Sequence, residues 1–128
     1  MTRLEELQQE SDDCGVEVVD WRFSGNIKGL YCDGSIALDE RLTNSERAGI
    51  LAEELGHYHT TSGDILNQSD VMNRKQEHRA RAWAYQRLLP FYKLLEAHVR
   101  GCRNRFEMAE YLEVSEEFLQ DAVDYYSR

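Results

Sequence analysis

The chain has 128 residues, of which 41% are hydrophobic and 30% are charged, and its formal net charge is −9. This length fits a single domain over residues 1–128 with a modest hydrophobic core. A nucleic-acid-binding protein needs a basic face that neutralises phosphates, whereas this chain has 24 acidic residues against 15 basic ones. The composition therefore argues against a direct nucleic-acid partner.

The cysteines and the N-terminal segment indicate the compartment. The cysteines number three, they are widely spaced, and they form no C-x-x-C pair, which argues against a disulfide framework or a thiolate metal site. The N-terminal segment is polar and lacks an apolar signal region, and no apolar run approaches the ~20 residues of a spanning helix. We therefore expect a cytoplasmic protein with no membrane partner.

The first forty residues predict one helix followed by a small sheet. Residues 2–14 form an amphipathic pattern that ends at a glycine. The alternating stretch 16–23 predicts a strand, and 27–32 and 35–38 predict two more. Asp33-Gly34 is a strong hairpin signal between the last two strands. We expect a small antiparallel sheet of three strands after the leading helix.

The remainder of the chain has helical patterns. Thr43 and Glu46 fit a capping box, which opens a helix that should run to about Tyr58. The elements predicted after it are a polar loop over 64–72, a helix over 73–89, a helix over 91–99 that restarts at Pro90, and two short helices within 105–126, the second capped by Ser115. The predicted fold class is α+β with a helical C-terminal half.

Residues 50–60 carry the most specific chemistry, because they are one substitution away from the zinc-peptidase pattern H-E-x-x-H. Glu53 stands where the first His is expected, and His57 is the second ligand. Side chains four residues apart share a helix face, so Glu53 and His57 can bind one metal ion. Glu54 lies on the adjacent face, where it can act as general base toward a metal-bound water.

A water-activating zinc site needs a third protein ligand. The helix over 73–89 offers Glu77 and His78. Glu77 lies near the side that carries Ala80 and Ala84, which we expect to pack against a neighbouring helix. A carboxylate on that side requires a positive partner, which a metal supplies. Spacing alone does not exclude His78.

His59 is a further candidate ligand. It follows His57 by two residues, so the two cannot share a face while the helix continues. If the helix ends at Tyr58, His59 can turn back toward the site and compensate for the missing His. Otherwise it is a polar residue at the helix end.

The two stretches together resemble the ImmA/IrrE family of phage-associated metallopeptidases. That family has an apolar-Ala-His-Glu-Leu-Gly-His helix and a later Glu-x-x-Ala-x-x-aromatic-Ala-x-x-x-Leu-x-Pro helix, which correspond here to 51–57 and 77–90. The resemblance spans nearly the whole chain. It implies a zincin-like metal-dependent endopeptidase with Glu77 as the third ligand, and a protein substrate such as a helix-turn-helix repressor of a phage or mobile element.

The residue at position 53 departs from the family pattern. A set of Glu53, His57 and Glu77 places two carboxylates and one imidazole on the metal. Zn²⁺ accepts such ligands, and an oxygen-rich set also favours Mn²⁺ or Fe²⁺. The added anionic ligand should acidify the bound water less than a neutral His would. Two hypotheses follow: a weak metallo-endopeptidase, or a catalytically inactive protein that regulates a repressor by binding.

The C-terminal pair of helices resembles a helix-turn-helix. A DNA-reading helix carries basic or amide side chains on its outer face. The second helix here carries acidic residues instead, namely Glu116, Glu117, Asp121 and Asp124. We therefore interpret the pair as a packing or protein-docking element.

Overall fold

The computed structural model describes residues 1–60 and 70–128, with side chains described from residue 74 onward in the second range. Its elements are α1 (Arg3–Asp13), β1 (Glu17–Trp21), β2 (Gly29–Cys32), β3 (Ser35–Asp39), α2 (Asn44–Thr60), α3 (Asp70–Leu88), α4 (Phe91–Val99), α5 (Arg105–Leu112) and α6 (Glu116–Tyr126). The predicted α+β class is confirmed. Most of the predicted loop over 64–72 lies outside the described residues, and residues 70–72 belong to α3.

The sheet is mixed, with strand order β1-β3-β2. β2 and β3 are antiparallel around a turn in which Asp33 and Gly34 have φ values of 49° and 79°, so the predicted hairpin is confirmed. β1, however, pairs parallel to β3. The expectation of an all-antiparallel sheet is therefore wrong.

The segment between β1 and β2 explains this order. It carries the chain past the middle of the sheet to the far edge, and the hairpin then returns β3 to the centre. The Arg41 guanidinium donates to the Phe23 carbonyl at 2.8 Å and pairs with Asp39, while Arg22 pairs with Glu40 at 2.9 Å. These contacts hold the segment beside the end of β3. The central strand of the sheet is β3, whose side chains are the most buried of the three strands.

α2 lies in the middle of the fold, against the sheet and between α1 and α3. Leu51 and Leu55 of this helix are fully buried together with Ile36 and Leu38 of β3. β2 approaches α2 closely at Gly29, where a Cβ atom would lie 2.6 Å from the Ile50 side chain. A side chain at position 29 would therefore push the edge strand away from the helix.

α2 and α3 are in backbone contact at Gly56. A Cβ atom at this position would overlap the Ala80 carbonyl oxygen and would lie 2.9 Å from Ala80 Cα. Ala80 and Ala84, the small residues on the facing side of α3, are fully buried. The predicted packing face of this helix is therefore confirmed.

The C-terminal helices follow the sequence expectations closely, since their boundaries are fixed by local caps. Asn104 accepts from the Glu107 amide at 2.9 Å, and Ser115 accepts from the Phe118 amide at 3.1 Å. Glu113 ends α5 in the left-handed conformation with φ 60°. None of the helices in the described ranges is both long enough and apolar enough to cross a membrane.

We predict that Gly56→Ala lowers the free energy of unfolding by about 1–3 kcal/mol, the usual cost of overpacking. The added methyl group meets backbone atoms of Ala80, which cannot rotate away. Gly49→Ala on the same helix is the comparison variant and should cost less, because its Cβ would meet the Phe118 side chain, at 2.9 Å, and not the backbone of a neighbouring helix. Urea denaturation of both variants measures the difference. A Gly56→Ala protein as stable as wild type would contradict the proposed close contact.

Candidate functional site

α2 places three of the predicted site residues on one uninterrupted helix. Thr43 and Glu46 form the predicted capping box, with bonds of 2.9 Å from the Thr43 amide and 3.2 Å from the Glu46 amide. The helix continues to Thr60, two residues beyond the predicted end. Positions 53, 54 and 57 therefore have regular helical spacing.

His57 meets Glu77 across the contact between α2 and α3. The distance from His57 Nε2 to Glu77 Oε2 is 3.2 Å, and the His57 side chain is largely buried. The hydrogen bond with Glu77 raises the pKa of His57, and the same bond lowers the pKa of Glu77. Arg81 lies farther from the carboxylate, at 3.8 Å from Glu77 Oε1. The structure thus brings together one predicted ligand from each helix.

Glu53 faces a groove of about 370 Å³ between α2, α3 and α6. Arg81 and Asp121 line the same groove. Burial raises the pKa of Glu53 to about 7, Arg81 opposes this shift, and repulsion from neighbouring carboxylates adds to it. Glu53 is therefore a partly buried carboxyl group whose neutral form is favoured by its surroundings.

Glu54 lies on the adjacent face of α2, beside the edge strand β2. A Cβ atom at Gly29 would be 3.4 Å from Glu54 Cγ, which is an ordinary van der Waals distance. Burial raises the pKa of Glu54, and His57 partly offsets this. Among the described residues, none donates a hydrogen bond to the carboxylate of Glu53 or Glu54.

The chemistry of these residues fits a divalent cation. Two donors bound to Zn²⁺ at about 2.0–2.1 Å in a tetrahedron lie roughly 3.3 Å apart, close to the separation of His57 Nε2 and Glu77 Oε2. A cation would also neutralise the buried carboxylates of Glu53 and Glu54.

The predicted ligand set is nevertheless incomplete in the described part of the chain, where no three His, Cys, Asp or Glu side chains converge on one point. A full site requires Glu53 to turn toward His57, or a ligand from outside the described residues. The ligand assignment of Glu53, His57 and Glu77 stays a prediction.

The other candidate histidines lie elsewhere. His59 is within the helix and stacks on Trp83, with ring centroids 4.7 Å apart and an interplanar angle of 25°. This geometry explains why it does not turn back toward His57. His78 is exposed on α3.

Sequence reasoning missed Arg81 and Asp121 as groove residues. The i,i+4 spacing of Glu77 and Arg81 was a usable signal for Arg81. Nothing in the sequence placed Asp121 of α6 beside α2, because that proximity depends on tertiary packing.

We predict that Glu53→Gln stabilises the protein at pH 8 when a chelator is present. The pKa of Glu53 is raised from 4.5 to about 7 in the folded state. The unfolded chain therefore binds fewer protons between these values, and stability falls as the pH rises through this window. The shift corresponds to at most about 3 kcal/mol.

Urea denaturation from pH 4 to pH 8 measures how the free energy of unfolding changes with pH. This change should be smaller in Glu53→Gln than in the wild type. Glu77→Gln is the matched control and should destabilise the protein at neutral pH, because the pKa of Glu77 is lowered and its charged form stabilises the fold. An unchanged slope in Glu53→Gln would show that this carboxyl is not buried as described.

Comparison with known families identifies the family of the domain. The family model of the IrrE N-terminal-like domain, Peptidase_M78, matches residues 12–123, a span that contains the sheet and both helices of the site. No curated protein matches the chain. The ImmA/IrrE resemblance of the sequence is thereby confirmed. The chain belongs to the IrrE N-terminal-like family of metallopeptidase-like domains.

Proposed function

We propose that this chain is a metal-dependent endopeptidase that cleaves a protein. The observation that carries the proposal is the 3.2 Å approach of His57 to Glu77 in a chain of the Peptidase_M78 family. His57, Glu77 and Glu53 would hold the ion, which we take to be Zn²⁺. The oxygen-rich set also favours Mn²⁺ or Fe²⁺.

The ion would polarise the scissile carbonyl and lower the pKa of water. Glu54 accepts the proton of the attacking water and passes it to the leaving amine nitrogen. Its raised pKa suits this role, because a carboxylate with a pKa closer to neutral takes up a proton more readily. His57 must be neutral and Glu77 ionised to bind the ion, so binding competes with the hydrogen bond between them.

The proposed substrate is a helix-turn-helix repressor of a phage or mobile element, as the family resemblance implies. The groove beside Glu53 lies between α2, α3 and the start of α6, and Lys28, which precedes β2, also lines it. Of the candidate site residues Glu53 lines this groove, so a polypeptide bound in it would lie beside Glu53. A cytoplasmic location fits a substrate that acts on DNA.

A second candidate function is regulation of the repressor by binding alone. Two observations favour it. Glu53 replaces the neutral ligand expected at its position, and His57 already has a hydrogen-bonding partner in Glu77. In this case the peptidase fold is retained as a scaffold and Glu54 has no proton to transfer.

We expect purified protein to bind one equivalent of Zn²⁺ or Mn²⁺, and to cleave a co-encoded repressor only when metal is present. Glu54→Gln should retain the metal and lose cleavage at least about a hundredfold, since it removes the general base. Glu77→Ala should lose both metal and cleavage. Glu53→His should raise zinc affinity. Elemental analysis and gel-based cleavage assays measure these outcomes, and His98→Ala is the control outside the site.

The two candidate functions give different results in this assay. Protein that holds no metal at any concentration, yet still relieves repression, would overturn the peptidase proposal and establish the binding role. Cleavage that persists in Glu54→Gln would refute the assignment of the base.

A further inference from the structure

The outward face of α4 carries a stripe of exposed apolar side chains. Phe91, Leu95 and Val99 follow one another at four-residue intervals, so they lie on one side of the helix. Their exposed fractions are 54%, 52% and 82%, and Tyr92 beside them is 61% exposed. We call these four residues the α4 stripe.

The opposite side of α4 is also apolar. Ala97 is fully buried, and Leu94 is partly buried against the core. A helix that is apolar on both sides is expected to be covered on both sides. The contiguous exposed aromatic and aliphatic surface of the α4 stripe therefore marks an interaction site.

Basic residues accompany the α4 stripe in a chain whose net charge is −9. Residues 91–105 contain four Arg and Lys residues against one acidic residue. Two of the four, Arg103 and Arg105, pair with Glu107 and Glu116, so the four cations with Glu96 and these two carboxylates have a formal charge of +1. Arg100 directly follows Val99 and is exposed. Arg103 is paired with Glu107 at 3.1 Å, but its side chain remains 85% exposed.

The basic end of the stripe adjoins a small pocket of about 280 Å³. His98 and Arg103 line it together with Met108, Leu119 and Val123. An apolar stripe thus runs toward a recess with a basic rim.

We propose that the α4 stripe docks an acidic amphipathic helix of a partner protein. α4 is 9 residues long, so the stripe extends over about 13 Å, which matches two to three turns of an opposing helix. Apolar side chains of the partner cover Phe91, Leu95 and Val99, and its carboxylates meet Arg100 and Arg103. The acidic remainder of the chain repels the same partner, so the attachment is confined to α4.

An anionic lipid surface is the other ligand with this chemistry. Interfacial helices carry Lys and Arg along their whole polar face. Here three of the four basic residues follow the C-terminal end of α4, and Lys93 and Glu96 lie along the helix. The distribution therefore favours a protein helix. The inference does not rest on the proposed peptidase function, because α4 contributes no residue to the site.

The test uses the full chain and two synthetic helical peptides. Both have Leu at positions i, i+3, i+4 and i+7; one has Glu at the remaining positions and the other has Lys. We expect the Glu peptide to bind at least tenfold more tightly at low salt. The double variant Leu95→Ser, Val99→Ser should weaken binding at least tenfold, and Arg100→Glu with Arg103→Glu should abolish the preference for the Glu peptide.

The matched control replaces exposed apolar residues on the sheet, Val19→Ser with Leu30→Ser, and should leave binding unchanged. Because all substituted side chains are exposed, circular dichroism should show intact folding throughout. Equal binding of the two peptides, no binding of either, or binding that survives Leu95→Ser, Val99→Ser would overturn the proposal. So would tighter binding to phosphatidylserine vesicles than to the Glu peptide, or a self-association that those substitutions abolish.

Discussion

The backbone contact between Gly56 of α2 and Ala80 of α3 is the constraint on which the site depends. Packed helices are usually 8–10 Å apart, at a distance set by the side chains between them. At this contact a Cβ atom on Gly56 would overlap Ala80. The residue after Gly56 is His57, and Glu77 lies about one turn before Ala80. The close approach therefore brings an imidazole on one helix within 3.2 Å of a carboxylate on the other.

The same contact concentrates negative charge. Glu53 and Glu54 are both partly buried, and burial raises the pKa of each. Arg81 opposes this shift at Glu53, and His57 opposes it at Glu54. A neutral His at position 53 would remove one buried carboxyl group. Glu53 therefore makes the metal-free site less stable at neutral pH and increases the electrostatic benefit of a bound cation.

The sequence predicted most helix boundaries because these depend on local interactions. The box formed by Thr43 and Glu46, the cap at Ser115 and the restart at Pro90 each involve residues at most a few positions apart. The order of the strands was not predictable in this way, since it depends on long-range pairing. The contact of Arg41 with Phe23, which fastens the connection between β1 and β2, joins residues that no local pattern relates.

The candidate site shows the same division between local and tertiary information. Motif spacing identified His57, the family resemblance identified Glu77, and the structure places them in contact. The sequence did not identify the direction of the Glu53 side chain, which lines the groove with Arg81 and Asp121. That direction is decided by the packing of α6 against α2 and α3. No stop signal precedes Thr60, and α2 continues two residues beyond its predicted end. His59 therefore stays within the helix and stacks on Trp83.

The groove beside Glu53 and the α4 stripe differ in charge and therefore favour different ligands. Most of the chain is acidic, and the groove beside Glu53 shares that character because Glu46, Glu117 and Asp121 also line it. A polypeptide entering this groove is favoured when it is basic, whereas the α4 stripe favours an acidic helix. A single partner that binds both surfaces needs a basic segment for the groove and a separate acidic segment for the α4 stripe. Such a partner would bind in one orientation, since a reversed one would place like charges against each other at both surfaces.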